Sequence, residues 1–495
     1  MILDLLENGE PSSVAISVAG GGPSVTYAQL RQQVDALARS LNQLGLGRGD
    51  RIAMALPNGL EVIASFLAAS TAGTAAPLNP AYTRDEFKFY LEDTGARALI
   101  VPPKDCDEAR AAAADNVLII EADIDGDGQV RFSSAAAGAP RATEYPQPDD
   151  IALILHTSGT TSRPKRVPLS HANLMTSARN VSETYQLSSA DVSLCVMPLF
   201  HVHGLVASTL ATLSTGGTVV VPPKFNPLSF WSTVRDHGAT WYSAVPTIHQ
   251  VLLSRAKTKP SGAEQLRFIR SCSAALAPQT MADIEERFGV PILEAYGMTE
   301  AAHQMASNPL PPGARKAGSV GVGTAVEIAI LDEIGKQLPS DTVGEVSIKG
   351  PNVFGGYEGN AEANAESFSN GWFRTGDQGY LDADGYLALV GRLKELINRG
   401  GEKISPREID ETLLTHPAVA EAVCFGIADR VYGEGVAAAV VLNGDATESD
   451  LMAHCRSSLA DFKCPTTIYI IDSIPRTATG KIQRRNVAAA IAKSS

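Results

Sequence analysis

Hydroxyls, a glycine and a lysine crowd into Thr157-Ser158-Gly159-Thr160-Thr161-Ser162-Arg163-Pro164-Lys165, directly after the apolar run Ile151-Ala-Leu-Ile-Leu155. The run reads as a short buried strand. A loop of this make-up offers backbone N–H groups, side-chain O–H groups and one mobile cation, which together can wrap a chain of phosphate oxygens. It is not the Gly-x-x-x-x-Gly-Lys-Ser/Thr loop of motor ATPases and GTPases, because Pro164 stands at the second glycine position and Arg166 follows the lysine.

Other segments repeat the theme. Glu294-Ala295-Tyr296-Gly297-Met298-Thr299-Glu300 follows a strand-like run and combines an aromatic face, a glycine, a hydroxyl and a carboxylate. Those are parts for stacking a purine and holding Mg2+ near phosphates. Gly371-Trp-Phe-Arg-Thr-Gly-Asp377 ends in a carboxylate suited to vicinal ribose hydroxyls. Arg392 sets a fixed cation beside an apolar strand, and Pro475-Arg-Thr-Ala-Thr-Gly-Lys481 carries a lysine on a Gly-containing loop. Two apparent metal motifs fail. Asp123 to Gly128 matches half an EF-hand, but its twelfth position is Ser134, so it reads as a hairpin turn. His201 and His203 could share one strand face, yet no third ligand has suitable spacing, and pocket or core histidines are preferred to a metal site.

Strand-like runs alternate with helical patterns along most of the chain: Asp50–Pro57, the helix Leu60–Ala72, Gly73–Leu78, Ser193–Pro198, Gly217–Val221, Thr240–Val245, Phe268–Cys272 and Val290–Glu294. This predicts an α/β fold with largely parallel sheets. Past about Val320 short alternating strands and Gly-rich turns (Val326–Leu331, Gly344–Gly350) predict a small β-rich subdomain. The expected organisation is a large N-terminal domain over 1–391, a connecting segment 392–401, and a small α+β C-terminal domain over 402–495. With 495 residues the chain is long enough for this. A net charge of −13 argues against nucleic acid and anionic membranes as partners. The six cysteines are scattered with no Cys-x-x-Cys pair, which fits a reducing compartment. No signal peptide, no apolar run of membrane-spanning length and no terminal Ser-Lys-Leu address are read, so the cytoplasm is expected.

In order and spacing, these segments resemble the adenylate-forming superfamily of acyl-CoA synthetases, luciferases and peptide-synthetase adenylation domains, over essentially the whole chain. The resemblance implies a two-step ligase. A carboxylic acid and ATP, with Mg2+, form an acyl-adenylate and pyrophosphate; the thiol of coenzyme A then takes the acyl group and AMP leaves. It also implies roles. Lys481 is the catalytic lysine bridging carboxylate and α-phosphate, with Thr299 and Glu300 at the phosphates and metal. Thr157, Ser158, Gly159, Thr160, Thr161 and Lys165 form the phosphate loop. Ser273, Ala274, Ala275 and the segment Glu294 to Thr299 hold the adenine side, Tyr296 stacking on the base, and Asp377 and Arg392 the ribose. Lys394 matches the hinge on which the C-terminal lid turns, and Gly400 and Gly401 the loop along the thiol tunnel. A monomer or homodimer is expected. Ser162 and Arg166 depart from the family loop, which commonly has glycine at both places; from sequence Arg166 could help bind pyrophosphate or distort the loop exit.

The acid pocket of such enzymes would here be lined by His201, His203, Arg270, Ser271 and His303. These polar and cationic groups suit a small acid with a second polar or anionic end, not a long acyl chain. The runs Pro198–Leu205, Trp241–Gln250, Arg267–Leu276 and Asn398–Pro406 are most similar to the oxalate–CoA ligase branch of plants and fungi. The runner-up is a CoA ligase for another small, aromatic or medium-chain acid; a non-catalytic nucleotide-binding protein ranks below both.

Overall fold

The computed structural model describes residues 1–157, 164–477 and 482–494. Among these, β-branched and apolar runs build two large mixed sheets. The first orders its nine strands as Val322–Gly323, His303–Ser307, Ile292–Met298, Phe268–Ser271, Trp241–Ala244, Val192–Leu194, Thr218–Val221, Val14–Val18 and Ser24–Thr26. Its centre is parallel and its outer pairings antiparallel. The second orders Val130–Ser133, Leu118–Ile124, Ala98–Val101, Arg51–Met54, Thr74–Pro77, Ile151–His156 and Arg166–Ser170, again parallel inside and antiparallel at both ends. The helix Leu60–Ala72, apolar on nearly every side, touches strands of both sheets and is buried along almost its whole length. Neighbouring helices begin at reciprocal capping boxes on Thr26, Thr83 and Ser170.

The β-rich region follows as predicted. Glu327–Leu331, Gly344–Lys349, Trp372–Leu381 and Leu387–Arg392 pair antiparallel. The last stretch forms its own sheet from Ile397–Arg399, Glu402–Ile404, Val419–Asp429, Gly433–Leu442 and Thr467–Ile470. The helices Pro406–Leu414 and Glu448–Ser458 cover one face with a separate apolar core around Ile409, Leu413, Val436 and Leu451.

Asp125 to Gln129 is a hairpin turn, Gly128 N–H donating to the Asp125 carbonyl. The expected strand face shared by His201 and His203 is absent. His203 opens a π-helical stretch, His203–Leu210, and Gly204 lies so close to the chain that an added Cβ would sit 2.5 Å from the Pro198 carbonyl oxygen. A wide helical turn instead of a strand therefore aims His203 inward; such turns recur at functional sites. Ala111 and Ala112 end a short helix, Asp107–Ala112, but Ala113 onward leave it. No helix among the described residues is long and apolar enough to cross a membrane.

Burial holds two core imidazoles neutral, pushing His171 and His249 down to about 4. The unfolded chain takes up protons on both below about pH 6.5 while the folded chain does not, so stability is constant above that and falls as pH drops toward 4. Thermal unfolding should lose on the order of 2 kcal/mol per histidine between pH 7 and pH 5. A melting temperature unchanged over that interval contradicts the assignment.

Candidate active site

The central parallel strands set three chain segments side by side. Ser243, Arg270 and Leu293 are register neighbours across Trp241–Ala244, Phe268–Ser271 and Ile292–Met298, so the turns leaving those strands emerge together. Ser273 sits in the turn leaving Phe268–Ser271 with φ of 72°, and Ala302 at 49° and His303 at 123° lie where the chain returns after Ile292–Met298. Non-glycine residues in this region carry strain that the surrounding packing must hold.

The strain brings the expected acid-pocket groups together. His203 and His303 meet edge to face with centroids 5.1 Å apart. His203 Nδ1 lies 3.0 Å from Ser273 Oγ and Nε2 2.6 Å from Ser243 Oγ. His201 is adjacent, its Nδ1 accepting from the His203 N–H. Arg270 is fully enclosed behind them. It donates to Ser243 Oγ at 3.0 Å, Tyr185 Oη at 2.9 Å and Gln304 Oε1 at 3.0 Å. All three partners are neutral, and among the described residues no carboxylate is bonded to this positive charge beside the histidines. Ser271 is fully buried, and its hydroxyl has no hydrogen-bond partner among the described residues.

A second constellation joins the expected nucleotide groups. Tyr296, buried, donates its hydroxyl to Asp377 Oδ2, and Arg392 Nε lies 2.9 Å from Asp377 Oδ1. Asp377 and Arg392 are opposite each other in one antiparallel pair. Glu294, buried two residues before Tyr296, accepts from the Leu276 N–H at 2.9 Å, and burial pushes its carboxyl up to about 7. It thereby fixes the turn whose exposed Ala274 and Ala275 edge this site. Ala295 is buried in the strand, while Met298 and Thr299 are partly exposed at its end. Gly297 has no alternative: a Cβ there would lie 2.1 Å from the His303 carbonyl oxygen, at a break in the register of the two strands.

The third constellation is at the phosphate loop. Strands Ile151–His156 and Arg166–Ser170 form its neck, closed by the Thr157 N–H donating to the Lys165 carbonyl at 3.0 Å. Ser158, Gly159, Thr160 and Thr161 lie outside the described residues, as does Lys481. Lys165 Nζ rests 4.1 Å from the centre of the Tyr357 ring. Burial, then the charge of Lys394, lower its pKa, and Glu300 opposes them. The Tyr357 hydroxyl donates to Glu300 Oε1 at 2.8 Å, and burial raises the Glu300 pKa. No cluster of three or more metal-ligating side chains is found among the described residues. One carboxylate beside Thr299 fits Mg2+ arriving on nucleotide phosphates, which keeps most of its ligands from water and phosphate.

Lys394 lies in a single 3-10 turn, Leu393–Glu395, at the end of the β-rich region. Gly400 and Gly401 form the hairpin between Ile397–Arg399 and Glu402–Ile404, with φ of 61° and 98°. That hairpin belongs to the C-terminal sheet, where Gly400 N–H donates to the Tyr432 carbonyl; it is not among the three constellations. Sequence reading passed over Tyr357, Ser243, Gln304 and Tyr185. Their one signal is a polar group inside an otherwise apolar run, as Ser243 in Trp241-Tyr-Ser-Ala244.

Residues 7–358 match the family model of the AMP-binding enzymes, and residues 408–481 that of the AMP-binding enzyme C-terminal domain. A probable CoA ligase of Humulus lupulus is 50% identical over 478 residues, covering 94% of this chain and 91% of that protein. The oxalate–CoA ligase of Arabidopsis thaliana is 47% identical over 500 residues, covering 98% and 97%. Among solved structures, ATP-bound MatB from Rhodopseudomonas palustris superposes with a TM-score of 0.90 at 32% identity, covering 99% of this chain and 98% of that one. Its apo form gives 0.79.

Asp377→Asn removes the charge that Arg392 and Tyr296 share. ATP affinity by calorimetry should fall about tenfold, in line with a lost charge-assisted pair; unchanged affinity counts against a ribose contact. Gly297→Ala should cost about 3 kcal/mol or more in unfolding free energy, since the clash is with main chain.

Proposed function

The chain belongs to the AMP-binding enzyme family and is an AMP-forming acid–CoA ligase, and on that premise we propose that its acid is oxalate. The observation that carries this reading is the enclosed Arg270 guanidinium, whose hydrogen-bond partners among the described residues are all neutral, set behind His203, Ser273 and His303. A buried cation without a counter-charge is costly, and a small doubly charged acid offsets that cost. A long acyl chain finds no matching apolar wall in this cluster. The likeness to proteins named oxalate–CoA ligase, in Arabidopsis thaliana and at 45% identity in Saccharomyces cerevisiae, supports the same acid.

In the first step one carboxylate oxygen of the acid attacks the α-phosphorus of ATP, the bond to the bridging oxygen breaks, and pyrophosphate leaves. Both reactants are anionic, so positive charge must stand where negative charge accumulates. Lys165 and the loop residues Thr157 to Thr161 take the leaving pyrophosphate, and Lys481 supplies the cation that bridges the carboxylate and the α-phosphate. Tyr296 packs against adenine while Asp377 and Arg392 take the ribose. Glu300 would hold the Mg2+ that arrives with ATP, and the ion would supply positive charge against the phosphates. In the second step the coenzyme A sulfur attacks the acyl carbon, its proton is lost, and AMP leaves. The C-terminal domain turns at Lys394 to bring the Gly400-Gly401 hairpin to the thiol. The higher likeness to the ATP-bound than to the apo form of MatB supports an arrangement suited to the first step.

A pyrophosphate-release assay over oxalate, malonate, an aromatic acid and a medium-chain acid tests the substrate. Oxalate should give the highest kcat/KM, by roughly tenfold or more over acids lacking the second carboxylate; oxalate among the weakest overturns the assignment. Lys481→Ala should slow adenylation at least about 100-fold, roughly 3 kcal/mol, with ATP binding retained. An unaffected rate removes Lys481 from the mechanism.

A further inference from the structure

Arg166, one of the residues that depart from the family loop, directs its guanidinium to Asp93 and Glu358. Its Nη1 donates to the Asp93 main-chain carbonyl and lies 3.8 Å from the Asp93 carboxylate. Its Nε is 3.7 Å from Glu358 Oε2, and its Nη2 is 3.5 Å from the Glu358 carbonyl oxygen. The main chains join as well, Glu358 N–H donating to the Arg166 carbonyl at 3.2 Å. Arg51 pairs with the same Glu358 carboxylate from the other side. Across the loop neck His156, the register partner of Arg166, reaches Asp93 Oδ2 at 3.0 Å. Both strands of the neck are thereby tied by side chains to the end of the helix Arg84–Thr94.

An exposed arginine with acidic neighbours ordinarily contributes little. Arg166 differs in two respects. Its side chain is 24% exposed, and it binds main-chain carbonyl oxygens, so it fixes backbone as well as partner side chains. The segment it fixes matters: Glu358 follows Tyr357, whose ring carries Lys165 and whose hydroxyl holds Glu300. Lys165 itself immediately precedes Arg166. One guanidinium therefore stands between the lysine and the tyrosine that must keep their spacing.

We infer that Arg166 is a positioning residue that holds Lys165, Tyr357 and Glu300 in mutual register for the triphosphate of ATP. It neither binds pyrophosphate nor distorts the loop exit. The tie to Asp93 and Glu358 fixes the chain at the residue that follows Lys165. The inference rests on the ATP-using reading above.

The test compares Arg166→Gly, which restores the residue common in the family, with Arg166→Met, which keeps the stem's bulk, using the best acid of the wild-type panel. Both variants should raise the KM for ATP about tenfold and slow pyrophosphate release, as small misplacements of charged groups do. The KM for the acid should stay within about twofold. Combining Arg166→Met with Tyr357→Phe should cost less than the two changes added, because both act on one triad. Should the glycine variant fail to fold, the methionine variant carries the same expectations. Unchanged KM for ATP and unchanged rate in a folded variant overturn the inference. So does an equal rise in both KM values, or full additivity with Tyr357→Phe. Wild-type protein that releases no pyrophosphate with any acid overturns the ligase reading instead.

Discussion

The parallel register of Trp241–Ala244, Phe268–Ser271 and Ile292–Met298 is the constraint from which the candidate site descends. Parallel strands leave a sheet on the same side, so the turns after them share one rim. Ser243, Arg270 and the turn at Ser273 come together for that reason, although up to thirty positions separate them in sequence. Tyr296, Glu300 and His303 arrive on the third strand and its return. A one-residue slip would send Arg270 to the opposite face and leave His203 without Ser243.

The rim separates charge. Arg270 lies enclosed among neutral partners, while Glu294 and Glu300 are buried carboxyls whose pKa values burial raises. In an ordinary core these groups would neutralise one another. Here Arg270 is bonded to Tyr185, Ser243 and Gln304, and Glu300 to Tyr357, so each is held by hydrogen bonds to uncharged groups. Such an arrangement is expensive to fold and ready for charged ligands. Asp377 differs: it already has Tyr296 and Arg392 as partners, and the proposed ribose would share that carboxylate with them.

Much of this was legible in the residues. Alternating apolar runs gave the layered α/β fold with strand ends correct to a few positions, because buried parallel strands read as continuous Val, Ile and Leu. The resemblance put Tyr296 and Asp377 among the nucleotide residues and His203 and His303 among the pocket residues, but the Tyr296–Asp377 bond and the His203–His303 contact have no signal in the sequence. Ser243, Gln304 and Tyr185 could not be anticipated, since a lone polar residue in an apolar strand has no period to betray it. His201 and His203 could have shared a strand face; instead His203 opens a π-helical stretch beside Gly204, which is pressed against the Pro198 carbonyl. Arg166 was ambiguous because its partners, Asp93 and Glu358, lie 73 and 192 residues away in sequence.

Gly297 has a consequence beyond its own stability. The main chain of His303 runs so near that no side chain fits between them. The strand under the nucleotide groups and the return carrying the pocket histidine are therefore one welded piece of backbone. A lineage exploring new acids cannot re-lay this wall by lengthening a loop or shifting a strand. It must keep the trace and exchange side chains at positions such as 203, 243 and 303. Diversification here is a matter of substitution, and the insertions that remodel other enzymes are closed to this wall.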